Sequence, residues 1–369
     1  MKKLLAVLLA GLMLLSFAAC GDKEDENTAI ELALVTDKGT IDDRSFNQGA
    51  WEGLVKYATE NNITYQYYQP VEQSMNSYYD TIKIAVDAGA KVVVCPGYLF
   101  ENAVHKAQKD FPEVKFIFID GAPSNVTDAS TMATYDNTDP DYTIAENTYS
   151  IFYKEEQAGF LAGYAAVKEG FTKLGFMGGM AVPAVVRFGY GYVQGAEYAA
   201  KEMGVEVEMK YHYTGDFSAT PEAQAKAAAW YTSGTEIIFG CGGAVGNSAM
   251  AAATAAGGKY VIGVDVDQSG ESDTVITSAM KDLAKSVYDG IAAFYAGTFP
   301  GGKSLSLGAD VNGVGLPMAT SKFTTFTQAD YDAIYAALAA DTDGIASTMV
   351  TEAEDATKLP VTKVTVVLD

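Results

Sequence analysis

The residues best suited to chemistry sit in two short polar corners, each with an aromatic ring at its centre. Asp42-Asp43-Arg44-Ser45-Phe46-Asn47 follows one apolar run, and Gly215-Asp216-Phe217-Ser218 follows another. Helix capping by Ser45 or Asn47 accounts for the polar side chains of the first corner. It does not account for Phe46. A phenyl ring among polar groups at a strand–helix corner suits stacking on a flat ligand, and two such rings from opposing lobes suit a sandwich. Core filling is the competing use of either ring. Polar residues also cluster where strand-like runs end: Asp37, Asp120, Gly240–Gly243 and Asp265. In open α/β sheets, ligands bind outside the carboxyl ends of the strands.

Two glycine motifs carry other chemistry at first sight. Gly297-Thr298-Phe299-Pro300-Gly301-Gly302-Lys303-Ser304 matches the P-loop pattern letter for letter. A P-loop needs a strand before it and a helix after it, so that helix amides face the phosphates. Here a helical pattern precedes and a strand-like stretch, 304–307, follows, so the segment reads as a surface loop. Gly240-Cys241-Gly242-Gly243-Ala244-Val245-Gly246 follows a strand, precedes a helix and has Asp265 downstream. That is the order of a dinucleotide site, but the spacing is not G-x-G-x-x-G. Two uses remain open: close approach of a ligand to helix N-terminal amides, or a tight turn. The two histidines, His105 and His212, lie far apart and without cysteine neighbours. No metal site, His-based triad or cofactor is expected.

Regular elements must position these residues, and they alternate. Strand-like runs at 30–36, 64–69, 91–95 and 115–120 interleave with helical patterns at 47–61, 78–88 and 102–110. The pattern then restarts with a helix at 155–169. Strands follow at 173–177, 205–213, 236–240 and 260–265, with helices at 185–203, 221–233, 247–256 and 283–296. A mixed tail holds one helix at 328–339. Repeated βα units with β-branched strands predict an α/β protein with parallel sheets buried on both faces. The expected division is 29–138 plus about 260–293 for a first lobe, and 139–259 plus about 294–369 for a second.

Composition narrows the partners. Net charge is −22, from 25 basic and 47 acidic residues, which repels nucleic acid and anionic lipid. At the start, Lys2 and Lys3 precede an apolar run from Leu4 to Phe17, and small residues stand directly before Cys20. A charged start, a short apolar core and small residues at the cut make a secretory signal over 1–19. Small residues before a cysteine read as a lipobox, so Cys20 is the expected lipidation site. Residues 20–28 form a polar tether. The expected location is the extracytoplasmic face of a cell membrane, held through lipid. Cys95 and Cys241 end separate strand-like runs and are expected to be buried free thiols.

The chain resembles the basic membrane lipoprotein family, receptors that bind purine nucleosides for ABC importers. The segments that carry the resemblance are ALVTDKGTIDDRSFNQGAWEGL (33–54), FIFIDG (116–121), KEEQAGFLAGYAA (154–166), GFMGGMAVPAVVRFGYGYVQGA (175–196), GDFS (215–218), IGVDVDQ (262–268) and TSAMKDL (277–283). The resemblance implies a type I periplasmic-binding-protein fold, two doubly wound lobes around a cleft with three hinge crossovers. It implies that Phe46 and Phe217 stack on the purine faces and that Asn47 and Asp120 read the base edge. Asp265 and Lys281 would bind the ribose hydroxyls, with Asp37 and Gly243 lining the same pocket. Arg187, in a Pro-x-x-x-Arg-Phe pattern, would be structural, through an ion pair. The implied ligand is adenosine, guanosine or inosine, and the implied partners are ABC permease subunits. An extracellular nucleoside-processing or dinucleotide-dependent enzyme is the rival class. A hydrolase needs a positioned base or a metal cluster, and no dense run such as D-x-D-x-x-x-D-D is present. A lipid-anchored nucleoside sensor is the third.

Overall fold

The computed structural model describes residues 29–125 and 143–369. The expected signal, Cys20 and the tether lie outside them. In the first part β1 (Leu32–Val35), α1 (Phe46–Asn61), β2 (Tyr65–Tyr68), α2 (Met75–Asp87), β3 (Val92–Pro96), α3 (Glu101–Asp110) and β4 (Lys115–Ile119) alternate as the periodicity predicts. β1 and β3 are buried along their whole length, as strands covered by helices on both faces must be. β5 (Thr148–Tyr153) follows and was not legible in the sequence.

The pattern resumes with α4 (Glu155–Glu169), β6 (Lys173–Gly178), α5 (Pro183–Met203), β7 (Val207–Tyr213), α6 (Pro221–Thr232), β8 (Ile237–Cys241), α7 (Val245–Ala256) and β9 (Tyr260–Asp265). Then come β10 (Val275–Lys281), also unexpected, α8 (Leu283–Tyr295), β11 (Lys303–Leu307), the two-residue β12 (Val314–Gly315), α9 (Gln328–Ala339) and β13 (Val364–Leu368). Among the described residues these strands form two sheets. One has the order β11-β5-β4-β3-β1-β2, the other β12-β10-β9-β8-β6-β7-β13. All pairings are parallel except β10 with β12.

The sheets share out the strands differently from the expected division. β5 and β11 complete the first sheet, while β9 and β10 belong to the second. Periodicity shows that a strand exists but not which sheet it joins. The chain therefore crosses between lobes at Lys154, at Asp282 and over residues 308–313. The three crossings lie side by side: Lys154 N donates to Leu307 O at 2.9 Å and Asp282 N to Gly313 O at 2.9 Å.

Helices α4 and α5 of the second lobe touch backbone to backbone. A Cβ on Gly159 would stand 2.1 Å from Phe188 O, and one on Gly195 2.0 Å from Phe160 O. Gly163 and Gly191 make the matching contacts with Tyr192 O and Glu156 O. Only glycine fits there, and the interlocking sets the register of the two helices. Cys95 and Cys241 are free, buried and in different sheets. The P-loop-like segment is a turn between α8 and β11.

Candidate functional site

Asp37 opens the loop after β1, and that loop is folded on its own carboxylates. Asp37 Oδ1 accepts from Gly39 N at 2.9 Å and from Asn47 Nδ2 at 2.9 Å. The cap of α1 is neither Ser45 nor Asn47. Asp43 supplies it, accepting from the backbone N–H of Ser45, Asn47 and Gln48 at 2.9, 3.0 and 3.1 Å. A carboxylate at a helix start gains from both the free N–H groups and the helix dipole. Ser45 is thereby released, and its hydroxyl donates across the cleft to Asp265 Oδ2 at 2.5 Å. Burial pushes Asp37 up to about 6 and raises Asp43 as well.

Asp120 and Asp265 hold equivalent places, one just past the end of β4 and the other ending β9. Both adopt the left-handed conformation, with φ of 59° and 66°, which aspartate tolerates better than most residues. Between them lies the Nζ of Lys281, the last residue of β10. It is 2.6 Å from Asp120 Oδ2, 3.4 Å from Asp265 Oδ1 and 3.7 Å from Glu155 Oε1. It also stands 4.4 Å from the centre of the Phe46 ring, a favourable place for a cation. Burial alone would lower Lys281, but the three carboxylates outweigh it and hold the ammonium well above its ordinary value. Burial raises Asp120 to about 7 against the pull of Lys281. Asp120 Oδ1 is buried and, among the described residues, accepts no hydrogen bond. Arg187 does form the expected ion pair, with Glu155 Oε2 at 2.6 Å.

Phe217 comes from the loop after β7. Its carbonyl accepts from Ala244 N at 2.8 Å, and its ring occupies space left by missing side chains. A Cβ on Gly179 would lie 2.4 Å from Phe217 Cδ1, and one on Gly242 3.0 Å from the same atom. Gly242 and Gly243, just past the end of β8, thus make a tight turn that seats an aromatic ring. Of the two uses left open for these glycines, the structure shows the tight turn.

All eight residues singled out by the sequence, Phe46, Asn47, Asp120, Phe217, Asp265, Lys281, Asp37 and Gly243, line one cavity between the lobes. Its empty volume is about 640 Å³, counting space open to solvent, a normal size for a small-molecule site. The polar residues group differently from the expected pairing of Asn47 with Asp120. Asn47 is bound to Asp37 and Asp43, whereas Asp120 shares Lys281 with Asp265. Tyr98, Val185, Phe188 and Cys241 also line the cavity and were missed. Tyr98 and Cys241 lie at or just after the carboxyl ends of β3 and β8, and Val185 and Phe188 begin the helix that follows β6. The strand-end rule could have found them. Further polar contacts join the two lobes: Lys38 pairs with Asp216, Arg44 pairs with Glu271, and Gln268 Nε2 donates to Arg44 O at 2.7 Å. Among the described residues no cluster of acidic, histidine or cysteine side chains is arranged to hold a metal.

Residues 30–338 match the family described as ABC transporter substrate-binding protein PnrA-like. The chain belongs to this family. It is 32% identical over 331 residues to the ABC transporter nucleoside-binding protein BmpA of Lactococcus lactis, covering 83% of this chain and 87% of that protein. It is also 32% identical over 318 residues to basic membrane protein A of Borreliella burgdorferi, covering 85% and 86%. Among solved structures, a solute-binding protein of an ABC transporter system from Aeropyrum pernix superposes with a TM-score of 0.66 at 24% identity. That match covers 87% of this chain and 83% of the other. A similar protein from Conexibacter woesei gives 0.64 at 23%. These two likenesses place the family member in the type I binding-protein fold expected from its sequence. Among the described residues no helix is long and apolar enough to cross a membrane.

Proposed function

We propose that this family member captures purine nucleosides in the cavity between its lobes and hands them to ABC permease subunits. We place it on the extracytoplasmic face of the membrane, anchored by lipid on Cys20. The observation that carries the ligand assignment is the pairing of Phe46 and Phe217 from opposite lobes with a buried carboxylate that has a free oxygen. The aromatic walls suit a flat, uncharged ring system. Asp120 Oδ1 suits a hydroxyl donor. The buried cation of the cavity, Lys281, is already surrounded by three carboxylates, so a phosphate would meet net negative charge. This favours nucleosides over nucleotides. The contacts of Lys281 with Asp120 and Asp265, and of Asn47 with Asp37, support a reading in which the first group meets the ribose and the second the base.

Calorimetric titration of adenosine, guanosine and inosine against adenine, guanine and hypoxanthine tests the assignment. Nucleosides are expected to bind far more tightly, because a free base leaves the buried Asp120 Oδ1 without a donor. Equal affinity for base and nucleoside would overturn the ribose assignment. Release of free base during incubation would favour the enzymatic alternative instead.

A further inference from the structure

Lys281 has more carboxylates around it than one ammonium can serve. Asp120, Asp265 and Glu155 all lie within 4 Å of its Nζ, yet the distances are unequal, at 2.6, 3.4 and 3.7 Å. Glu155, the most distant, is completely buried and its other oxygen is taken by Arg187 Nε at 2.6 Å. Arg187 also comes to 4.0 Å from Glu156. Its neighbours on α5, Val185 and Phe188, line the cavity, whereas Arg187 does not. The glycine contacts between α4 and α5 fix why this pair forms. With Gly159 on Phe188 O and Gly191 on Glu156 O, the first turn of α4 faces the second turn of α5, which brings residue 155 to residue 187.

We infer that Arg187 is a positioning residue for ligand binding: by holding Glu155 it leaves Lys281 to Asp120 and Asp265. The inference rests on the proposal that ligand hydroxyls meet this end of the cavity. A buried carboxylate without a partner is strongly unfavourable. Without Arg187, Glu155 has Lys281 as its nearest cation and draws it from Asp120. Asp120 follows a strand of the first sheet and Lys281 ends one of the second. The contact that is lost therefore ties the two lobes together and orients the oxygen that receives the ligand.

The test compares wild type, Arg187→Met, Glu155→Gln and the double variant, each titrated with inosine and with hypoxanthine. Arg187→Met is expected to weaken inosine binding by about tenfold or more while changing hypoxanthine binding less, and the double variant to recover most of that loss. Recovery occurs because a neutral amide in place of the Glu155 carboxylate no longer competes for the ammonium. A role confined to bracing α4 against α5 gives the opposite pattern: both ligands weaken together, and the second substitution brings no recovery. That result would overturn the inference. If Arg187→Met does not fold, the double variant decides alone. Inosine affinity within about threefold of wild type supports the inference, and a larger loss refutes it. A crystal structure of Arg187→Met, or of Arg187→Gln should the former not fold, grown without added nucleoside, separates this inference from the ligand assignment. Lys281 Nζ closer to Glu155 than to Asp120 supports it whatever the ligand proves to be. Lys281 still seated on Asp120 refutes it. Failure of wild type to bind any nucleoside would sink the ligand assignment and leave that crystallographic result standing.

Discussion

Replacing Lys281 by Met removes a cation that is 3% exposed from between carboxylates at 2.6, 3.4 and 3.7 Å. Breaking a buried ion pair from one side costs about 3–5 kcal/mol, because the partner charge is left without compensation. Proton uptake sets a ceiling on that cost. Neutralising one carboxyl with an ordinary value near 4 at pH 8 takes about 5 kcal/mol, at about 1.4 kcal/mol per pH unit, and the same step at pH 5 takes about 1.4 kcal/mol. The sign follows directly. In the variant the folded state holds a proton that the unfolded state has released, so its stability falls as pH rises. The expected loss is about 3–5 kcal/mol at pH 8, shrinking to about 1–2 kcal/mol at pH 5. Urea unfolding of ligand-free protein, followed by tryptophan fluorescence at both pH values, measures it. A loss below about 1 kcal/mol at pH 8, or one that is equal at the two pH values, would refute the picture of Lys281 as the charge that makes this cluster tolerable.

Three further outcomes are expected. Phe46→Ala and Phe217→Ala should each weaken purine nucleoside binding by about 1–3 kcal/mol, the usual contribution of aromatic–base stacking; near-wild-type calorimetric affinity in both would remove them from the site. Nucleoside affinity should rise with pH between 5 and 8 and level off above about 8, since Asp120, raised to about 7, and Asp37, raised to about 6, must be ionised to accept most strongly from ligand donors. Calorimetry across that range should show Asp120→Asn flattening the upper part of the profile, and a flat wild-type profile would count against Asp120 as an acceptor. Cys20→Ser should move the protein from washed membranes to the soluble fraction with its melting temperature unchanged, and retention on membranes would contradict an anchor made of lipid alone.

The sequence was most legible where one residue type had to stand at one strand end. Asp37, Asp120 and Asp265 follow or close apolar runs, and all three line the cavity. Helices α4 and α9 and strand β9 begin and end where periodicity placed them, because each has clear apolar spacing and polar flanks. Strand β10 escaped because Val275–Lys281 carries Thr277, Ser278 and Lys281 in a buried strand. Such residues are buried only because the hydroxyls and the ammonium find partners from elsewhere in the chain. The same limit hid the cap by Asp43 and the grouping of Asp120 with Lys281. Those contacts depend on how loops and lobes meet, and no spacing along the chain encodes them. The assignment of β5, β9, β10 and β11 to sheets failed for the same reason.

The three crossings have a consequence for how the molecule is made. The first sheet lacks its outer strand β11 until residue 307 has been synthesised, and the second lacks β13 until residue 368. β5 and β11 are neighbours in one sheet although the whole of α4 to α8 lies between them in the chain. Neither lobe can therefore be finished while the ribosome is still in the body of the message, and early segments wait with unpaired strand edges. For a protein made to stay where it is synthesised, that delay is a hazard. For one that must first be threaded through a membrane as an extended polypeptide, it keeps the chain pliable until the far side is reached.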